Sequence, residues 1–291
     1  MVLKKRIRQI GEKAFWVFSV LYIGVNVARL FVVSSYVVPT ESMMPTIMPG
    51  DYIMVSKTAY GPRFFMGDEI RHGDISRLGS CRSVERGDVV VFNNPFPKGW
   101  KHLRFDVMKY YVKRCIGLPG DTIEIVDSKY HVRGEEDTLG LMASQILLSR
   151  MTRDSTRAET YGISMRTYPR DRAMGWDLRN FGPLYIPARG DSISLSHETY
   201  VLYGKLIGWE IGEDISEEDG RYVTESGREV SGHVFESDYF FMAGDNTPSS
   251  LDSRYWGLVP DEFIAGKVKR VWWSRDRDYG KTRWERIWKK I

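Results

Sequence analysis

The chain of 291 residues has only two cysteines, Cys81 and Cys115. Two cysteines are too few for a disulfide framework or for a cysteine-based zinc site. A single bridge between them stays open, although two free buried thiols are the preferred interpretation. We therefore expect a chain that folds on its hydrophobic core, for which 291 residues suffice, with no metal and no cofactor.

Histidine is also scarce, with five in the whole chain. None of them lies in a motif typical of a Ser-His-Asp enzyme, and the sequence has no G-x-S-x-G nucleophile elbow. If the protein uses a serine as nucleophile, the base is expected to be another residue type.

Only one long apolar run is present. Residues 14–28 carry no charge, and LFVVSSYVV continues the run after Arg29. An arginine near the interface can extend its charged end into water, so we predict a transmembrane anchor at 14–34. A cleaved signal peptide is disfavoured because the candidate cleavage positions in SSYVVPTES are mostly bulky. A buried core helix is the remaining alternative.

The orientation of the anchor follows from the basic residues before it. Residues 1–13 carry five basic groups against one acidic group. The positive-inside rule predicts that this basic tail is cytosolic and that the chain beyond the anchor lies outside. The expected location is a bacterial inner (cytoplasmic) membrane, crossed once, with the folded domain on the outer, periplasmic side.

The other end of the chain is basic too, with ten basic and three acidic groups in 267–291. In the tail at 276–291, helical spacing would place four apolar residues on one face: Trp284, Ile287, Trp288 and Ile291. Such a helix fits the membrane interface, and packing on its own domain is an equal alternative. Nucleic-acid binding is disfavoured because the basic run is short and lies outside the membrane.

Between these ends the patterns indicate a mainly β fold with short strands and turns. The catalytic core is predicted at 35–127 and 238–275. Residues 128–237 form an inserted, non-catalytic subdomain, in which SISL and YVLYG have the composition of short strands.

Two residues carry the candidate chemistry. Ser42 follows the anchor closely, and by itself it is an ordinary turn serine until a base lies within reach. Lys113 lies in YYVKRCI, where strand alternation puts it on one face with Tyr111 and Cys115. Burial would lower the pKa of this lysine and make it a usable base, whereas a solvated edge lysine is the common alternative.

A third segment, GDNTPSSLDSR at 244–254, is dense in short polar residues and turn formers. Asp245, Asp252 and Arg254 could lock such a loop, which would offer a hydroxyl to orient a neutral lysine. On composition alone, a plain surface turn is the preferred interpretation.

Four segments in order resemble the boxes of bacterial type I signal peptidases (leader peptidases), which are Ser/Lys proteases. They are PTESMMPTIMPGDYIMVSK, RGDVVVFNNP, YYVKRCIGLPGDTIEI and GDNTPSSLDSRYWGLVP. Each is short, but the four in this order behind an anchor are specific. The resemblance implies a signal-peptidase-like domain of antiparallel sheets behind a transmembrane helix.

The resemblance also implies roles for individual residues. Ser42 would be the nucleophile, Lys113 the general base and Ser250 the lysine-orienting serine. Thr40 and the Ser42 N–H would form the oxyanion hole. The supporting residues would be Tyr111, Arg114, Asp245, Asp252 and Arg254. The last box departs from the family at Thr247, Pro248 and Ser249, where the family usually has Arg, a variable residue and Asn.

The implied function is a membrane-bound serine endopeptidase that removes signal peptides from secretory preproteins through an acyl-enzyme, with the lipid bilayer as second partner. Shallow apolar pockets suited to small side chains are expected from Val38, Met43, Ile47 and Val112. Met43 and Met44 are also expected to be exposed and to dip into lipid.

Two other interpretations are open. An inactive membrane-tethered homologue that binds presequences is one, because of the altered 247–249 stretch. A Ser/Lys protease of the self-cleaving repressor type is the other, but the chain has an anchor and shows no DNA-binding helix-turn-helix before the core.

Overall fold

The computed structural model describes residues 2–67, 69–79, 82–97, 99 and 102–291. Cys81 lies outside the described residues, so the possible Cys81–Cys115 bridge lies outside them too. Cys115 itself is buried, and its thiol donates to the Gly117 carbonyl oxygen at 3.5 Å.

The first element is a long helix, α1 (Val2–Phe31). Within the described residues it contains the one stretch long and apolar enough to cross a membrane, Ile10–Arg29, which is unburied. The anchor predicted at 14–34 extends beyond the helix, because α1 ends at Phe31 and Val33–Val37 forms strand β1. The Lys57 N–H donates to the Val32 carbonyl at 2.8 Å, so the β-branched residues after α1 pair with the next strand.

The central sheet consists of β1 and seven further strands, which are β2 (Asp51–Ser56), β5 (Val89–Asn93), β6 (Tyr110–Gly117), β14 (Tyr239–Ala243), β15 (Val259–Pro260), β16 (Ile264–Ser274) and β17 (Lys289–Lys290). The sheet is antiparallel throughout, in the order β1-β2-β16-β5-β6-β14-β15, with β17 beside β16. β5 and β14 are buried at every position, and apart from Asn93 at the end of β5 their residues form continuous apolar runs.

Smaller antiparallel sheets complete the fold. The two-residue strands β3 (Arg63–Phe64) and β4 (Ser76–Arg77) pair with each other. Three strands, β7 (Thr122–Val126), β8 (Lys129–Val132) and β9 (Phe181–Tyr185), form a second sheet. The last two pairs join β10 (Ser192–Ser194) to β13 (Gly232–Val234) and β11 (Ile215–Glu218) to β12 (Arg221–Thr224). The predicted mainly β fold of antiparallel sheets is confirmed.

The helices after α1 lie mostly within 128–237. They are α2 (Met142–Met151), α3 (Ser155–Thr160), α4 (His197–Ile211) and, near the end of the chain, α5 (Ser253–Trp256). The predicted limit of the insertion at residue 127 falls in the turn between β7 and β8, which pair with each other.

The prediction of a strand at YVLYG is wrong, because these residues lie inside α4. Ser196 caps the helix: its hydroxyl accepts from the Thr199 N–H, and the Thr199 side chain accepts from the Ser196 N–H. Gly212 ends it in the left-handed conformation. Helical spacing buries Leu202 and Leu206 on the core side of α4. This burial outweighs the preference of the β-branched and aromatic residues in the segment for a strand.

The predicted C-terminal helix is also wrong. The segment forms a short 3₁₀ turn at Trp284–Arg286 and then β17, which pairs with β16. Arg286 is buried and binds Asp51, with Nε 3.0 Å from Oδ1 and Nη2 2.5 Å from Oδ2. A buried charge needs its partner, so this ion pair fixes the segment around Arg286 against the start of β2 and overrides helical spacing.

Candidate active site

Ser42 lies on the loop between β1 and β2. Two backbone hydrogen bonds close the base of this loop, from Val38 N to Asp51 O and from Gly50 N to Val38 O, each at 2.9 Å. Within it, the Ile47 N–H donates to the Met43 carbonyl at 2.9 Å. The loop therefore holds Ser42 in a fixed place, with 8% of the residue's surface exposed.

Lys113 lies on β6, and its Nζ is 2.6 Å from Ser42 Oγ. Only 2% of the lysine's surface is exposed. Its Nζ lies 5.6 Å from the centre of the Tyr111 ring, as strand alternation predicted, and that ring stacks on Trp256 with centroids 5.2 Å apart. The two predicted catalytic residues are thus brought together from positions 71 residues apart.

The surroundings of Lys113 favour the neutral amine. The pKa of Lys113 is lowered to about 8, and burial is the main cause. The Asp252 and Asp245 carboxylates oppose this shift, and the Arg254 guanidinium supports it. A lysine with this pKa is substantially neutral near pH 8, so its lone pair can accept a proton from a hydroxyl.

The 244–254 loop packs against the Ser42 loop. The Asn246 N–H donates to the Ser42 carbonyl at 3.0 Å. A Cβ at Gly244 would collide with that carbonyl oxygen and with Ser250 Oγ, so only glycine permits this approach. Ser250 is buried, and its hydroxyl makes no close hydrogen bond to a described residue. The hydroxyl lies near the Asp252 carboxylate and helps to lower the pKa of that carboxyl. The predicted Ser250–Lys113 hydrogen bond is therefore not formed in this structure, although Ser250 borders the site.

Asp252 and Arg254 form a buried ion pair behind Ser250. Arg254 Nε lies 2.7 Å from Asp252 Oδ1, and Nη2 lies 2.8 Å from Oδ2. Burial would raise the pKa of Asp252, but the attraction of Arg254 prevails and lowers it. Asp252 also accepts from the Gly244 N–H at 3.0 Å, so the pair fixes the backbone beside the site.

Arg114 and Asp245 form a second pair, with Nε–Oδ1 and Nη2–Oδ2 both at 2.7 Å. Arg114 is next to Lys113 on β6 but points to the other face. Its bidentate bond ties β6 to the 244–254 loop.

Thr40 lies beside the nucleophilic position, with Oγ1 3.4 Å from Ser42 Oγ. Throughout the described part of the chain, the Ser42 N–H has no hydrogen-bond acceptor. The Ser42 N–H is therefore available to donate to a bound carbonyl oxygen.

The four predicted pocket residues belong to one apolar cluster. Val38, Met43 and Ile47 are buried in it, and Val112 packs against it partly exposed. The expectation that Met43 and Met44 are both exposed to lipid is wrong, because Met43 is only 1% exposed and fills the base of the Ser42 loop. Met44 is half-buried.

The sequence did not single out three residues that contact the site loops: Gly244, Asn246 and Ser144. The first two stand in the last box, so the resemblance could have indicated them. Ser144 lies in α2, far from any box, and nothing in the sequence marks it. Across the described ranges, no group of three or more His, Cys, Asp and Glu side chains could hold a metal ion.

Known proteins resemble this chain along most of its length. The family model described as "Signal peptidase, peptidase S26" matches residues 11–273. The chain is 27% identical over 271 residues to a signal peptidase I from Buchnera aphidicola, covering 90% of this chain and 74% of the relative. It is 30% identical over 270 residues to a signal peptidase I from Pseudomonas fluorescens, covering 88% and 70%.

A solved signal peptidase I from Enterococcus faecalis is 20% identical, covering 65% of this chain and 98% of that chain, with a TM-score of 0.30. The match to the family model spans most of the chain and confirms the relationship that the four boxes indicated. The chain belongs to the signal peptidase family, peptidase S26, and is a serine endopeptidase.

Proposed function

We propose that this protein removes signal peptides from secretory preproteins with a Ser42/Lys113 dyad. The observation that carries the proposal is the distance of 2.6 Å between Lys113 Nζ and Ser42 Oγ in a site that excludes water from the lysine. A serine alone is a weak nucleophile, and a neutral amine in contact with it supplies the missing base.

The proposed reaction has two halves. Neutral Lys113 takes the proton of Ser42 as Oγ bonds to the scissile carbonyl carbon, and the ammonium then protonates the leaving amine as the peptide bond breaks. Lys113, neutral again, removes a proton from water, which attacks the acyl-enzyme, and returns that proton to Ser42 Oγ. Thr40 Oγ1 and the Ser42 N–H are proposed to stabilise the tetrahedral oxyanion.

The two strands nearest the site have edges suited to an extended substrate. Among the described strands, β1 pairs only with β2, while β14 pairs with β6 only from Arg114 to Gly117. The first half of β6 thus keeps a free edge, and Tyr36 of β1 lies 5.0 Å from Tyr110 of β6 between ring centroids. We propose that the preprotein adds as a strand here, with small side chains over Val38, Ile47 and Val112.

The membrane arrangement is part of the proposal. Ser42 lies 13 positions beyond the end of the candidate span at Arg29, so a bilayer around that span would keep the site at its surface. The basic N-terminal flank favours a cytosolic N-terminus and a catalytic domain on the outer side of the inner membrane. A preprotein with its apolar segment in the same bilayer would present its cleavage site there.

The full-length protein in lipid vesicles is expected to cut a secretory preprotein once, after a small residue. A matched preprotein with leucine immediately before the cut should be processed at least about tenfold more slowly, because the shallow pocket cannot take the larger side chain. Mass spectrometry of the released mature chain gives the position and rate. Binding of both preproteins with no cut in either would instead favour an inactive presequence-binding homologue.

A further inference from the structure

The inserted segment makes a direct hydrogen bond to the loop that carries Ser250. The Thr247 N–H donates to Ser144 Oγ at 2.8 Å, and both residues are buried. Ser144 lies in the first turn of α2, and the helix packs along the 3₁₀ turn Thr247–Ser249. This turn is the stretch in which the chain departs from the family's usual last box.

The ion pair behind the site holds the next peptide group of the turn, through the carbonyl of the same residue, Thr247. Arg254 Nη2 donates to the Thr247 carbonyl at 2.9 Å and to the Ser250 carbonyl at 3.3 Å. The Thr247 side chain adds no hydrogen bond, because its hydroxyl has no partner among the described residues. The position of the turn therefore depends on Arg254 from one side and on Ser144 from the other.

Helix α2 is itself rigidly attached to the second sheet. The Gln145 side chain, fully buried, accepts from the Tyr130 N–H at 2.9 Å and donates to the Leu139 carbonyl at 2.6 Å. Further along the helix, the Ser149 hydroxyl donates to Asp127 Oδ1 at 2.8 Å. Ser144 thus lies on a helix whose position is held by contacts other than its bond to the 244–254 loop.

We propose that Ser144 is a positioning residue for the Ser42/Lys113 site, and that the insertion thereby serves catalysis. The inference rests on the proposed function above. Ser144 fixes the turn, the turn fixes Ser250 and Gly244 against the Ser42 carbonyl, and this packing keeps water away from Lys113. Loss of the bond would loosen the wall of the site without removing any group that touches substrate.

The test is Ser144→Ala in the full-length protein, assayed with a preprotein across pH. A buried N–H left without its acceptor is expected to lower kcat about tenfold, with KM within about twofold of wild type. Water admitted to Lys113 would raise the pKa of its amine, so the acid limb of the pH profile should move to higher pH. Ser144→Thr keeps an oxygen on the same Cβ and should recover most of the rate.

Ser149→Ala is the matched control, because it removes one hydroxyl bond at the far end of the same helix. The two Gln145 bonds beside Ser144 remain, and the 244–254 loop is untouched. Ser149→Ala should keep the wild-type kcat and acid limb. If Ser144→Ala keeps the wild-type kcat and the wild-type acid limb of the pH profile, this inference is overturned while the proposed function stands. The inference would also be overturned if Ser144→Ala and Ser149→Ala lost the same amount of kcat and Tm. Such a result is expected if Ser144 only stabilises the fold. An inactive wild type would overturn the proposed function as well.

Discussion

Replacing Lys113 with methionine is expected to lower preprotein cleavage about 10²- to 10⁴-fold, the range of a general base. Methionine fills similar buried space, so the fold should persist while Ser42 loses the group 2.6 Å from its hydroxyl. Single-turnover cleavage in vesicles measures the loss directly. Ser42→Ala should be equally inactive, and the double variant no worse, because the two residues act as a unit.

Lys205→Met is the control for this experiment. Burial also lowers the pKa of Lys205 to about 8, so it matches Lys113 in its electrostatics. It lies on α4, with Nζ 5.6 Å from the centres of the Phe96 and Tyr168 rings. Its loss should leave cleavage near wild type. Comparable inactivation of both variants, or cleavage that survives in Lys113→Met, would show that the base is assigned wrongly.

Replacing Arg254 with alanine is expected to lower the free energy of unfolding by about 3–5 kcal/mol, because it leaves Asp252 charged, buried and unpaired. The same change frees the Thr247 and Ser250 carbonyls. Cleavage should therefore fall even at temperatures where the variant stays folded. Denaturant unfolding followed by tryptophan fluorescence measures the stability, with cleavage assayed on the same samples.

Arg189→Ala provides the comparison. Arg189 is exposed, and its Nη2 lies 3.9 Å from Asp261 Oδ2, so the loss should stay within about 1 kcal/mol. If Arg254→Ala unfolds at the same denaturant concentration as Arg189→Ala, the ion pair does not hold the loop as described.

The sequence was most informative where local pattern and resemblance coincide. YYVKRCIG is a strand by composition and by structure, and alternation along it correctly put Lys113 on the face of Tyr111. The role of Ser42 was predicted from the resemblance of its segment to the first signal-peptidase box, not from its local pattern. Its contact with Lys113 could not be predicted locally, because it depends on the sheet that brings β6 beside the Ser42 loop.

Predictions failed where a distant partner decides the local structure. The spacing of Trp284, Ile287 and Trp288 is helical, yet Arg286 among them is buried against Asp51, more than 200 positions earlier. No local pattern contains that pairing. Ser144 is similar, because its role depends on a contact 103 positions away.

The strand predicted at YVLYG failed for a different reason. The signals for α4 were present in the sequence: Ser196 as cap, Thr199 three positions later and Gly212 at the end. The tyrosines and Val201 favoured a strand by propensity, and burial on one helical face outweighed them. Capping residues around the segment were the better guide.

The pH dependence of kcat/KM tests the central claim most directly, since it reports the base of the free enzyme. Burial lowers the pKa of Lys113 to about 8, and only the neutral amine accepts the Ser42 proton. The rate should therefore fall tenfold per pH unit below about pH 8 and level off above it. A profile that is flat down to about pH 6.5, where an ordinary histidine titrates, would contradict a lysine base.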